Sequence, residues 1–169
     1  EETYPETFRD YLAGILKVDL GAVDGGLIGS SMGVGELGLN LFNETRETVL
    51  LRRACLADPG LLKRLTGVDL AISPAPTFLV FNPLRTFIEI VARDEQGVGD
   101  LVVTVMDKTT PVPLMRYCTG DKMQFIDFDR LNREAGAVGA GWRPPSLPVV
   151  ALHGRAKDRL PNGGHVDLF

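Results

Sequence analysis

From Thr77 onward the chain breaks into six short runs rich in β-branched and aromatic residues: "TFLVF", "TFIEIVAR", "DLVVTVM", "LMRYC", "KMQFID" and "VVALHG". Turn formers lie between several of them, in "NPLR", "DEQGVG" and "DKTTPVP". Val, Ile, Thr and Phe suit a pleated, half-buried surface, while Gly, Pro, Asn and Asp punctuate it. Short strands joined by short turns pair antiparallel. So many in series predict a sheet curled into a distorted barrel. Residues 128–148, "FDRLNREAGAVGAGWRPPSLP", interrupt the series and read as one or two helical turns followed by a loop.

The first part of the chain has a different texture. In "TFRDYLAGILKVD" (7–19), Phe8, Tyr11, Leu12, Ile15 and Leu16 fall at helical spacing, and Thr7 with Asp10 resembles a capping box. "AVDGGLI" (22–28) reads as a loop feeding a short strand. A glycine-rich stretch follows, and Leu37, Leu39 and Leu41 then alternate as in a half-buried strand. "NETRETVLLRRACLADPG" (43–60) reads as a helix capped by Asn43 and stopped near Asp58-Pro59-Gly60, with a short helical turn, "LLKRLTG", after it. The expected organisation is a helix–strand piece (1–45), a helical excursion (46–72), a β-rich module (73–156) and a tail (157–169).

Composition narrows the function classes. A formal charge of −4 offers no electrostatic footprint for nucleic acid and no basic run for acidic membranes. The apolar stretches are too short to span a bilayer as a helix. Two cysteines, Cys55 and Cys118, form neither a disulfide framework nor a metal-ligand spacing with His153 and His165. They predict a reducing, cytoplasmic setting. The chain opens on "EETYPETF" without an initiator Met, which predicts that it belongs to something longer.

Four motifs carry chemistry. In "MRYCTGD" (115–121) a polar cluster follows an apolar strand, and Asp121 is expected at that strand's exposed end. An ionised carboxylate only accepts hydrogen bonds, and the cis-diol of a ribose supplies two donors at matching separation. The competing reading is an ordinary turn. In "HGRAKDRL" (153–160) Arg155 emerges after a glycine, placed to reach a sugar hydroxyl or phosphate oxygen, or else to end the strand in a solvated charge cluster. "GSSMG" (29–33) sets two hydroxyls between glycines, which suits phosphate or an ordinary loop. "GVGELG" (33–38) fits G-x-G-x-x-G, but "ELGLNLF" makes a poor helix and Asp58 precedes a proline, so a dinucleotide-binding oxidoreductase fold is disfavoured.

Their order and spacing are more specific than any one of them. "GDLVVTV" (99–105), "PLMRYCTGD" (113–121) and "HGRAKD" (153–158), after the Gly-Ser-Ser loop, resemble the adenylate-forming superfamily, in its phenylacetate–coenzyme A ligase-like branch. The resemblance is best over 99–160, thinner over 20–40 and thinnest over 43–76. It implies a mixed α/β fold: the end of a large domain's α/β part plus a distorted antiparallel β-barrel with flanking helices. It also implies a hinge at 157–169, leading toward a C-terminal domain not in this sequence.

The resemblance further implies roles. Asp121 would grip both ribose hydroxyls of ATP, and Arg155 would approach the same nucleotide. Ile28, Gly29, Ser30 and Ser31 would line the adenine and phosphate pocket, and Lys157 would lie at the hinge. The chain departs from the family pattern at several points. Met32 stands where a Mg²⁺-holding Glu is usual, leaving Glu36 as the substitute. Ile28 replaces an aromatic, and Cys118 an arginine. No Ser/Thr/Gly-rich loop with lysine occurs. The implied activity is that of an ATP-dependent acid–thiol ligase. It would take a small carboxylic acid, ATP with Mg²⁺, and coenzyme A as thiol acceptor, with this chain alone incomplete and inactive. The alternative is a non-catalytic nucleotide- or partner-binding module derived from the same fold.

Overall fold

The computed structural model describes residues 5–20, 25–34, 39–105 and 113–155. In chain order the elements are α1 (Glu6–Leu16), β1 (Ser31–Val34), β2 (Leu39–Asn43), α2 (Arg46–Ala57), α3 (Pro59–Thr66), β3 (Thr77–Phe81), β4 (Phe87–Val91), β5 (Gly99–Val105), β6 (Leu114–Ile126), α4 (Phe128–Val138) and β7 (Val149–Arg155). The class is mixed α/β. No described helix is long and apolar enough to cross a membrane.

All seven strands form one sheet in the order β1-β2-β3-β7-β6-β5-β4, and each neighbouring pair is antiparallel. Strand β3 explains why "TFLVF" shows no polar alternation: both of its faces are buried. Leu79 and Phe81 point into one core, Phe78 and Val80 into another. The first core takes side chains from every strand, from Met32 on β1 to Ile88 and Ile90 on β4. Strands at opposite ends of the sheet thus share one apolar cluster, so the sheet curls. The second core packs α2, α3 and α4 against the other face, through Leu51, Leu61, Leu65 and Leu131. Full burial of each such side chain contributes about 1.5–3 kcal/mol.

The sheet is not closed into the expected barrel: its order is open, with β1 and β4 at the edges. A barrel closes to bury an inner face and abolish its edges. Here curling already buries the inner face, and the helices cover the outer one over β3, β7 and the end of β6. The edges are short strands of four and five residues.

Local differences from the expected elements have identifiable causes. Runs 114–118 and 122–127 do not form two strands; a single thirteen-residue β6 passes through the Thr119-Gly120-Asp121 cluster that was expected to end one. Asn43 does not cap α2, because β2 runs through it; Thr45 is the N-cap, in a reciprocal box with Thr48. Asp58 closes α2 and caps α3, with Pro59 at the first helical position. Thr7 lies inside α1, since Pro5, with its fixed φ, stands at the N-cap without a side-chain cap.

Helix α1 is also turned the other way. Its buried residues are Arg9 and Ala13, while Phe8, Tyr11, Ile15 and Leu16 are exposed. The cause is a charge buried beneath it, described below.

Candidate functional site

Asp121 and Arg155 stand directly opposite each other on β6 and β7. The Arg155 Nε–H donates to Asp121 Oδ1 at 2.9 Å. Asp121 is buried, whereas the Arg155 side chain is half exposed, so the carboxylate sits beneath a guanidinium that faces solvent. Asp121 is therefore not at an exposed strand end, as its sequence context predicts, but within β6.

Two irregularities build this juxtaposition. On β6, "TGD" is a bulge: β5 advances two residues, Asp100 to Val102, while β6 advances four, Lys122 to Cys118. Gly120 takes φ 82, and the Asp121 N–H donates to Thr119 Oγ1 at 3.2 Å. A Cβ on Gly120 would meet nothing within 4 Å, so glycine is suited here by its left-handed backbone and not by crowding. β7 advances three residues, Leu152 to Arg155, while β6 advances two, Met123 to Asp121. Gly154 within that step has φ 95.

The Gly-Ser-Ser segment is occupied differently. Ile28 C=O accepts from Arg9 Nη1. Ser30 donates twice to Glu44 Oε2, from its N–H at 2.7 Å and its hydroxyl at 2.9 Å. Arg9 Nη2 in turn donates to both Glu44 oxygens, at 2.8 and 2.7 Å. Both charged side chains are wholly buried. Glu6 extends the network to Arg52 and Arg53. Buried ions persist only when paired and hydrogen-bonded, and this pair draws Arg9 inward and α1's apolar residues outward. Ser31 starts β1 opposite Asn43, and Gly29 is exposed. Three strands separate β1 from β6, roughly 19 Å along the sheet at about 4.8 Å per strand. The fold thus joins Asp121 to Arg155 and holds residues 28–31 in a separate network.

Met32 itself offers no ligand for the expected metal. Met32 packs in the apolar core of the curled face, where a hard cation finds no oxygen ligand. Among the described residues no group of three or more His, Cys, Asp or Glu side chains is placed to hold one. Glu36, Lys157 and the 157–169 hinge lie outside the described residues.

Sequence reasoning did not find Arg9, Glu44 or Gln124. Gln124 is buried on β6 and donates to the Thr66 and Gln96 carbonyls, tying α3 to the sheet. A run of Arg or Glu between apolar residues carries no local sign that its partner lies 35 residues away. No protein-family model, no curated protein and no solved structure matches the chain.

Proposed function

We propose that the chain is the ribose-binding part of an ATP-dependent acid–thiol ligase of the adenylate-forming type. The observation that supports this reading best is the Asp121–Arg155 pair. Two motifs separated by a long stretch of chain meet on adjacent strands, and together they offer a carboxylate acceptor and a guanidinium donor. Asp121 Oδ2 accepts one ribose hydroxyl, and the second hydroxyl competes with Arg155 Nε for Oδ1. Arg155, half exposed, sets a positive charge at the solvent side of the carboxylate, where a nucleotide would approach.

In the parent reaction a substrate carboxylate oxygen attacks the α-phosphorus of ATP. Pyrophosphate leaves, and the acyl-AMP then passes its acyl group to a thiol such as coenzyme A. In that chemistry this chain's residues hold and orient the sugar. No step is assigned to Mg²⁺, since Met32 occupies the position where the resemblance places its ligand.

The burial of Met32 favours a second reading, a nucleotide-binding module without ligase chemistry. Pyrophosphate exchange separates the two, measured with a panel of aryl and fatty acids on the protein that carries this chain in the cell. Exchange with any acid supports the ligase. ATP binding without exchange supports the module, and absence of ATP binding contradicts both.

A further inference from the structure

The register between β6 and β7 carries an inference about how the Asp121 site is made, and its ligand arm rests on the ribose reading above. Met123 pairs with Leu152 and Asp121 with Arg155, so between these pairs Lys122 alone faces two residues, His153 and Gly154. In an unbroken antiparallel ladder successive side chains alternate between faces. Counting without the surplus residue, Asp121 would face Gly154. Arg155 would then stand opposite Gly120, on the other side of the sheet. The extra residue reverses the parity of Arg155 and sets its guanidinium over the carboxylate. Gly154, inside the step, takes φ 95, a region that side chains bearing a Cβ rarely adopt.

We propose that Gly154 is a positioning residue: its left-handed backbone absorbs the surplus residue and so delivers Arg155 to the face of Asp121. Gly120, at φ 82, lies in a bulge of two surplus residues on β6, an even number that leaves the parity of Asp121 unchanged. Each member of the pair follows a glycine with a left-handed backbone, but only the step at Gly154 changes which face its neighbour occupies.

Lost stability alone would not distinguish positioning from ordinary strain. The test is therefore a double-mutant cycle on thermal unfolding, Asp121→Asn with Arg155→Gln, run in the wild-type chain and again with Gly154→Val. In the wild-type background the two substitutions are expected to be non-additive. In the Gly154→Val background they are expected to become additive, because the partners no longer meet. Gly154→Ala carries the same cycle if the valine variant does not fold. Unchanged coupling in both variants overturns the proposal. Isothermal titration with ATP and 2′,3′-dideoxy-ATP supplies the second arm. The wild-type preference for the diol should fall at least tenfold in Gly154→Val. If the coupling disappears but the wild-type chain shows no diol preference, positioning of the ion pair is supported and the ribose reading is overturned.

Discussion

The Arg155 guanidinium covers the Asp121 carboxylate, with Nε 2.9 Å from Oδ1; side-chain exposure is 47% for the arginine and 5% for the aspartate. The asymmetry makes the two residues unequal targets. Arg155→Ala leaves a buried carboxylate without its donor, a loss at the low end of the about 1–3 kcal/mol range because solvent already reaches the guanidinium. Removing both groups removes the stranded charge as well. In urea unfolding, Arg155→Ala should therefore be less stable than the Asp121→Ala/Arg155→Ala double variant. The reverse order would show that the carboxylate does not depend on Arg155.

The buried Arg9–Glu44 pair should be the most costly charge to break. Glu44→Ala takes from Arg9 its bidentate partner, leaving Glu6 and the Ile28 carbonyl, and leaves two Ser30 donors unmet. The expected loss is about 3–5 kcal/mol, a fall in Tm on the order of 10 °C for a chain of this size. Glu44→Gln keeps an acceptor for Ser30 and should lose less. Equal losses in calorimetry would mean that the carbonyl acceptor contributes nothing.

The two thiols should separate cleanly. Cys118 is exposed and Cys55 is buried. Burial pushes the Cys55 thiol up from an ordinary 9.0 to about 12. A raised folded-state pKa means that the unfolded chain loses its proton first. The contribution to stability is thus fully present below pH 9 and is lost as pH rises from about 9 toward 12. Iodoacetamide at pH 8 should label Cys118 alone, and Cys55 should react only after denaturation. Cys55→Ser should flatten the alkaline limb of the stability profile.

Restoring the carboxylate usual in the resembling family should not restore a metal site. Met32 is 4% exposed within the curled core, so Met32→Glu places an acid among apolar side chains. The expected outcome is lowered stability, by several kcal/mol if the group ionises, and no Mg²⁺-dependent rise in Tm. A Mg²⁺-dependent rise in Tm with that variant would contradict this expectation.

How much of this was legible in the sequence depended on how local the cause was. Strand texture gave β3, β4, β5 and β7 close to their observed bounds, because β-branched runs between turn residues depend on near neighbours. The Asp58-Pro59-Gly60 break was legible for the same reason. "TGD" suits a strand end and a bulge equally, because glycine and aspartate serve both, and only the partner strand decides between them. The closed barrel failed on a global property. Nothing along the chain says whether a curling sheet's edges will meet.

Helix α1 shows the sharpest limit. Phe8, Tyr11, Leu12, Ile15 and Leu16 mark an apolar stripe that spacing alone assigns to the core. Arg9, buried against Glu44, overrides it. At the candidate site, Asp121 and Arg155 were visible as separate strand-borne charges. Their meeting depended on the surplus residue at Gly154, which pattern reading does not count.

The most direct measurement is isothermal titration of the chain with ATP and with 2′,3′-dideoxy-ATP, repeated on Asp121→Asn. Two hydroxyls donated to a charged carboxylate are worth about 1.5–3 kcal/mol, tenfold or more in affinity. The account predicts that the wild-type chain prefers ATP by at least that factor and that Asp121→Asn erases the preference. Equal affinity for the two nucleotides in the wild-type chain would contradict it.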